Sequence, residues 1–252
     1  MISKMSLLAG EPIDVGKFKV KPWTLREIVK FGNDKYSIFA SHLLITVDKL
    51  RENDNINKDV LNGLNDYQAL CMILLGDEIG REIFLEGLGK TLGYEFRLSE
   101  TYGIYYVNEE EVYEPFDPDS LELIQKVFNM QNYFSDGSKE NEFKPANELA
   151  RKLYEQRMKA RKKVQESKGK DGEGHQMENI ISIVGSYSEG VNLNTIWGYT
   201  VYQLYEEYIR LIIWDDFQYN RNMLPHMDEE TRNNLKLKHW GTKVSPQTLK
   251  EE

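Results

Sequence analysis

The sequence lacks the features that mark a secreted, membrane-spanning or nucleotide-binding protein. Its single cysteine, Cys71, has no partner for an internal disulfide, so nothing indicates an oxidising compartment. No run reaches the roughly 20 apolar residues of a membrane span. The N-terminal segment, MISKMSLLAGEP, has too short an apolar core for a signal peptide. We therefore expect an intracellular protein without membrane contacts, in which Cys71 is a small buried side chain.

Positive charge is scarce except in one segment. The chain has 252 residues and a formal net charge of −9, whereas a general nucleic-acid binder normally carries a basic field. Between residues 144 and 170, however, ten lysines and arginines stand against three glutamates. We expect the basic helix in this segment, through Arg151, Arg157 and Arg161, to contact an acidic protein partner or the acidic remainder of the chain. Phosphate backbones are the less favoured alternative.

Catalytic and metal-binding patterns are also missing. The four histidines have no cysteine, histidine or carboxylate partner at a recognised metal-ligand spacing. The adjacent carboxylates Glu206–Glu207 and Asp215–Asp216 are typical of a solvated helix face, because a two-metal nuclease needs several such groups converging on one pocket. The GKT ending at residues 89–91 lacks the earlier glycine of a phosphate-binding loop. The sequence therefore predicts a non-enzymatic protein without catalytic, cofactor-binding or metal-binding residues.

The hydrophobic pattern predicts an α+β fold that is mainly α-helical, with a short N-terminal β-hairpin and a small antiparallel meander. Short β-type pieces on either side of Gly16 predict the hairpin between residues 13 and 20. Apolar residues that alternate with polar ones between residues 94 and 113 predict the meander. Two such small sheets leave most of the core to helices.

Helix ends can be located from capping residues. Thr24 followed by Glu27 is the pattern of a capping box, which begins a helix. Another helix is expected over residues 77–88, closed by Gly87 and Gly89. The helix that begins at Thr24 is expected to run toward Tyr36, with Gly32 as a candidate interruption, and an apolar stretch follows over residues 38–50. Further helices are expected over residues 67–75 and after Asp117, and apolar structure resumes over residues 180–184.

The most apolar stretch, residues 196–217, predicts a long helix capped by Asn194 or Thr195. We expect this helix to be the core around which the helices that begin at Thr24 and Tyr67 pack. Beside its main apolar stripe runs a second strip, at which we place a groove for a protein partner. That strip consists of Tyr202, Ile209 and Ile213.

Composition divides the chain into three segments. Residues 1–134 contain the hairpin, the first helices and the meander. Residues 135–176 contain a polar loop, the basic helix and a flexible loop. Residues 177–252 contain the aromatic helix and a polar tail, from which Trp240 is expected to dock on the body. We expect the first and third segments to pack as one domain.

Two blocks of the sequence resemble proteins of tailed bacteriophages and prophages of Gram-positive hosts. The first contains the pattern P-x-T-L-x-E-I at a helix start. The second contains I-I-S and then T-x-Y-Q-L-Y-x-x-Y-x-R-L, and K-H-W follows near the C-terminus. The matching residues are Pro22, Thr24, Leu25, Glu27, Ile28, Ile180, Ile181, Ser182, Thr200, Tyr202, Gln203, Leu204, Tyr205, Tyr208, Arg210, Leu211, Lys238, His239 and Trp240.

This resemblance implies a role in tail morphogenesis without a cofactor. The expected role is that of a tail assembly chaperone, which binds the tape-measure or tail-tube protein in the host cytoplasm. The alternatives are a structural component of the virion, in the tail or neck, and a nucleic-acid-binding or metal-dependent nuclease protein. Self-association is the alternative to binding another tail protein. None of the matching motifs marks a catalytic site.

Overall fold

A computed structural model describes residues 2–51, 58–101, 103–108, 111–133, 177–226 and 239–242. The contacts divide the chain into two compact units, residues 1–134 with 197–203, and residues 135–196 with 204–252. The predicted basic helix and flexible loop, with Arg151, Arg157 and Arg161, lie outside the described residues. The expectation that the first and third segments form one domain stays a prediction.

The predicted fold class is confirmed, since the described residues are mainly helical and carry two small antiparallel sheets. In the first unit the helices are α1 (Lys4–Ala9), α2 (Leu25–Phe31), α3 (Asn33–Leu43), α4 (Val47–Arg51), α5 (Asp66–Gly76), α6 (Glu78–Leu92) and α7 (Pro118–Gln131). The strands are β1 (Ile13–Val15), β2 (Phe18–Val20), β3 (Glu95–Ser99), β4 (Gly103–Val107) and β5 (Tyr113–Pro115). A 3₁₀ turn spans Lys58–Leu61.

The hairpin and the meander form where they were predicted. Strand β1 pairs with β2 in an antiparallel register that places Val15 opposite Phe18, with Gly16 at a φ of 58° in the turn. Strand β4 is the middle strand of the meander and pairs with both β3 and β5. Helix α1, which precedes the hairpin, was not predicted. It is short, begins at the Ser3 cap and ends at Gly10 in the left-handed conformation.

The capping box at the start of α2 is confirmed. The Glu27 N–H donates to Thr24 Oγ1 at 3.2 Å, and the Thr24 N–H donates to Glu27 Oε2 at 2.9 Å. Gly32, at a φ of 102°, separates α2 from α3. These local hydrogen bonds satisfy N–H groups that have no partner within the helix, which is why the sequence locates this helix start so well.

The predicted end of α6 is wrong. The helix continues beyond Gly87 and Gly89 to Leu92, and the left-handed residue that ends it is Gly93. Gly87 lies inside the helix, where the ring of Phe39 packs against it. A Cβ at this position would lie 2.5 Å from ring atoms, so the contact requires a glycine. This glycine allows two helices to approach closely. In a sequence, a glycine of this kind cannot be told from one that ends a helix.

The aromatic core of the first unit is centred on α3. The ring of Phe39 lies 5.9 Å from Trp23, 6.0 Å from Phe84 and 5.5 Å from Phe128. All four side chains are buried. The Trp23 indole N–H donates to Thr91 Oγ1 at 2.9 Å, so its one polar atom is satisfied. In this unit α3 lies at the centre of the aromatic core. The expectation that the helix over residues 196–217 is the core around which the other helices pack stays a prediction.

The two capping motifs that carry the family resemblance meet in the first unit. Thr24 forms an isolated antiparallel bridge with Thr200, and the Leu25 N–H donates to Tyr199 O at 2.8 Å. The Gln203 N–H donates to Thr200 Oγ1 at 3.2 Å, and the Thr200 N–H donates to Gln203 Oε1 at 2.8 Å. Two helix starts far apart in sequence are therefore joined by backbone hydrogen bonds.

A polar cluster connects the hairpin to the meander. The carboxylate of Glu114 accepts hydrogen bonds from Lys17 Nζ at 2.9 Å, from the Tyr106 hydroxyl at 2.5 Å and from Asn108 Nδ2 at 2.8 Å. The ammonium of Lys17 also lies 4.8 Å from the centre of the Tyr106 ring. The hydrogen bonds from Tyr106, Lys17 and Asn108 lower the pKa of Glu114 to about 2.

The later elements are α8 (Met177–Tyr187), a 3₁₀ turn (Ile196–Gly198), α9 (Val201–Met223) and a second 3₁₀ turn (Leu224–His226). The predicted cap of the aromatic helix at Asn194 or Thr195 is wrong, because α9 begins after Thr200. Thr195 instead closes a local turn, in which its N–H donates to Asn192 O at 3.0 Å. The apolar pattern extends without a break from the residues before the helix into the helix, so the sequence does not show where the helix begins.

The close approach at Gly87 predicts opposite effects for two alanine substitutions. Gly87→Ala should lower the free energy of unfolding by about 1–3 kcal/mol, because the new methyl group overlaps the buried Phe39 ring. The control Gly76→Ala has open space around its Cβ and should be neutral or stabilising by up to about 1 kcal/mol. Urea denaturation measures both, and equal effects would contradict the packing.

The lowered pKa of Glu114 predicts a pH-dependent contribution to stability. Because the folded-state pKa lies below the ordinary glutamate value of 4.5, the contribution is present above pH 4.5 and is lost as the pH falls towards 2. The difference in unfolding free energy between the wild type and Glu114→Gln should therefore shrink over this range. Glu122→Gln, which removes one exposed pair with Lys126, should show a smaller pH dependence. Denaturation midpoints between pH 2 and 6 measure the difference.

Candidate functional site

The second apolar strip of α9 is not on the surface. Tyr202, Ile209 and Ile213 are 8%, 1% and 3% exposed, and the Tyr202 ring lies 5.1 Å from Tyr133. Side chains so deeply covered do not form the walls of an open groove. The partner-binding role that the sequence pattern assigned to them stays a prediction, and the surface of α9 lies elsewhere.

Glu206 was expected to face water, and this expectation is wrong because the residue is only 8% exposed. A guanidinium nitrogen of Arg210 lies 3.7 Å from its carboxylate, one helical turn away. A carboxylate removed from water needs a compensating cation or hydrogen bonds, and Arg210 supplies positive charge here. Next to it, burial raises the pKa of Tyr205, which keeps that phenol in its neutral form.

The same arginine holds a second part of the chain. Arg210 Nη1 donates to Trp240 O at 2.9 Å and to Thr242 O at 2.7 Å. Both acceptors are backbone carbonyls, and hydrogen bonds from a charged donor are stronger than neutral ones. We call this arrangement of Glu206, Arg210 and the turn at residues 239–242 the arginine clasp.

The turn at residues 239–242 is organised by His239. Its backbone carbonyl accepts the N–H of Thr242 at 2.8 Å and the Thr242 hydroxyl at 2.5 Å. Its ring nitrogen Nδ1 accepts the N–H of Gly241 at 3.0 Å. The turn therefore presents its carbonyls to Arg210 in a fixed geometry.

Aromatic rings extend the clasp along α9. The Trp214 ring lies 6.3 Å from Phe217 in a stacked arrangement and 6.0 Å from Trp240 in an edge-to-face arrangement. Phe217 in turn lies 5.9 Å from the His239 ring. Trp214 and Trp240 are 47% and 50% exposed, so large apolar surfaces face solvent. We call Trp214, Phe217, His239 and Trp240 the aromatic face.

The sequence identified several of these residues but not their contact. Arg210 belongs to one motif of the resemblance and His239 and Trp240 to another, and the structure brings the two motifs together. Lys238 lies outside the described residues. The expected docking of Trp240 is confirmed by its contact with Trp214. The signal that could have linked them is the aromatic content of both segments, since Trp214 and Phe217 follow Arg210 on neighbouring helical turns.

A cavity in the first unit is a weaker candidate. Its volume is about 250 Å³, and it has an apolar floor with a rim of lysines. Lys21 is paired with Glu27 at 2.6 Å and Lys90 with Glu86 at 2.6 Å, which neutralises much of the positive charge. The cavity is lined by Lys21, Pro22, Trp23, Glu27, Lys30 and Lys90.

The remaining candidate groups are dispersed. His42 is partly exposed rather than in the core, and its Nδ1 lies 2.8 Å from Ile38 O. Asp215 and Asp216 are exposed. Among the described residues, no group of three or more histidine, cysteine, aspartate or glutamate side chains is arranged to hold a metal ion. In the same part of the chain, no helix combines the length and the apolarity that crossing a membrane requires.

Comparison with known proteins places similarity in the region of the clasp. Residues 166–245, about a third of the chain, match the family model described as the YomV second domain. This is a phage-type protein family, and YomV is a protein of the Bacillus prophage SPbeta, so the match indicates a phage origin. No curated protein and no solved structure matches the chain significantly.

The clasp predicts that Arg210 protects the turn from solvent exchange. In Arg210→Gln, the Gly241 and Thr242 amides should exchange at least about tenfold faster, because the turn loses two charge-assisted hydrogen bonds. Hydrogen exchange with NMR or mass-spectrometric detection measures this rate.

Two controls separate this effect from general destabilisation. Arg221→Gln removes an exposed arginine of the same helix and should leave exchange in the turn unchanged. Glu206→Gln combined with Arg210→Gln removes the buried charge together with its cation, and should still show fast exchange in the turn. Unchanged exchange in both Arg210 variants would contradict the clasp.

Proposed function

We propose that this protein is a phage tail assembly chaperone, which acts by binding the tape-measure or tail-tube protein and not by catalysis. The observation that carries the proposal is the exposed aromatic face beside Arg210, inside the segment that matches a phage-type family. The resemblance of the motifs at Thr24 and Thr200 to tail-module proteins supports the same assignment.

The composition of this face suits a protein partner. Tryptophan, tyrosine and arginine carry much of the binding energy at protein interfaces, whereas isolated exposed aliphatic side chains carry little. Trp214 exposes about half of its surface and follows Arg210 by about one turn of the same helix. A chaperone needs such a face to cover the apolar surface of a client until the client assembles.

The proposal predicts a soluble complex with a tail protein that depends on Trp214. The tagged full chain should bind the tail-tube or tape-measure protein of the phage that encodes it when the proteins are produced together. Trp214→Ala should weaken this complex about thirtyfold, which corresponds to the loss of about 2 kcal/mol for an interface hot spot. Isothermal titration calorimetry measures the affinity.

A matched control is available in the same unit. Tyr187 is 77% exposed and lies on α8, so Tyr187→Ala removes an exposed ring without touching the aromatic face. Its affinity for the client should equal that of the wild type. Binding of neither tail protein by the wild type would refute the proposed function.

Mass spectrometry of purified particles distinguishes the chaperone from its nearest alternative. A chaperone leaves before the tail is complete, so the protein should be absent from virions or present in trace amounts. A stoichiometric copy number would instead identify a structural component. Magnesium-dependent cleavage of DNA or RNA that is lost on changing Asp215 or Asp216 would identify a nuclease.

A further inference from the structure

We propose that the surface of α9 formed by Arg210, Trp214 and Phe217 is a docking site for a short, aromatic-bearing turn of a protein partner. In this structure the chain's own residues 239–242 occupy that site and compete with the partner. The identity of the partner as a tail protein rests on the proposed function, but the docking site and its competitor do not.

The occupied site shows what it recognises. Arg210 donates to the backbone carbonyls of Trp240 and Thr242, two residues apart. It therefore recognises the backbone of a turn and not a particular side chain. Specificity comes from the rings, because Trp214 contacts Trp240 and Phe217 contacts His239. A partner segment with an aromatic residue in a tight turn presents the same groups.

Among the residues that the structure describes, few contacts hold the chain's own turn against α9. All four residues from 239 to 242 are exposed, and Trp240 keeps half of its surface in solvent. The described contacts with α9 are two hydrogen bonds from one arginine and the edges of aromatic rings. An occupant held in this way can be replaced by a partner that buries more of the same face.

Attachment to the same chain explains how so small an occupant competes. A segment of the same chain can compete at an effective concentration in the millimolar range, so weak contacts suffice to fill the site. The apparent affinity for a partner is then the intrinsic affinity multiplied by the fraction of molecules in which the site is open. Loss of the chain's own turn should consequently strengthen the binding of an added segment.

A peptide assay tests the site without any tail protein. The probe is a fluorescein-labelled synthetic peptide of residues 236–245, KLKHWGTKVS. Fluorescence anisotropy measures its affinity for the full-length chain. Trp240→Ala and His239→Ala should each bind the peptide about tenfold more tightly than the wild type, since each weakens the competing turn. Adding Trp214→Ala to Trp240→Ala should remove this gain.

The control peptide carries alanine at the histidine and tryptophan positions. Its affinity for every variant should be no higher than its affinity for the wild type. It tests whether the lysines of the probe merely attract an acidic protein. Equal affinity of the wild type and both single variants for the probe would overturn the proposal, as would a gain that survives Trp214→Ala.

The tail protein provides a second readout with opposite signs. Trp240→Ala should strengthen client binding, whereas Trp214→Ala weakens it. If both substitutions weaken client binding equally, the turn is part of the interface and not a competitor, and the proposal fails while the proposed function stands. If no tail protein binds but the peptide results hold, the docking site stands and the proposed function fails.

Discussion

The arrangement of residues around Arg210 in the second unit depends on the burial of the carboxylate of Glu206. Glu206 lies under the surface of α9, where an uncompensated negative charge is costly, and the guanidinium of Arg210 lies one turn away. An arginine has five N–H donors in a fixed plane, so it can face a carboxylate and still bind other acceptors. The carbonyls of Trp240 and Thr242 take that remaining capacity. Burial of one glutamate thus positions the cation that holds the C-terminal turn.

The first unit shows how far local signals reach. The capping box at Thr24, the hairpin at Gly16 and the meander were predictable because each depends on hydrogen bonds or turns within a few residues. The end of α6 was not, because a glycine that ends a helix and a glycine that admits a neighbouring ring look alike in a sequence. Only the position of Phe39 against Gly87 decides between them.

The candidate site was predictable in its parts and not as a whole. Periodicity shows that a helix face is apolar, but it does not show what covers that face, and so Tyr202, Ile209 and Ile213 appeared available when they are buried. The contact between Arg210 and Trp240 joins residues 30 positions apart through backbone carbonyls, which leave no trace in residue type. The sequence could show both motifs but not that one binds the other.

The two capping boxes and the clasp give the resembling motifs a common physical meaning. Thr24 and Thr200 join two helix starts through an antiparallel bridge, and Arg210 joins the same helix α9 to a segment near the C-terminus. Both arrangements use main-chain groups, which every residue carries, so the surrounding side chains are free to vary without loss of the connection. The rings of Trp214 and Trp240 contact each other and add to the second connection, although about half of each side chain faces solvent.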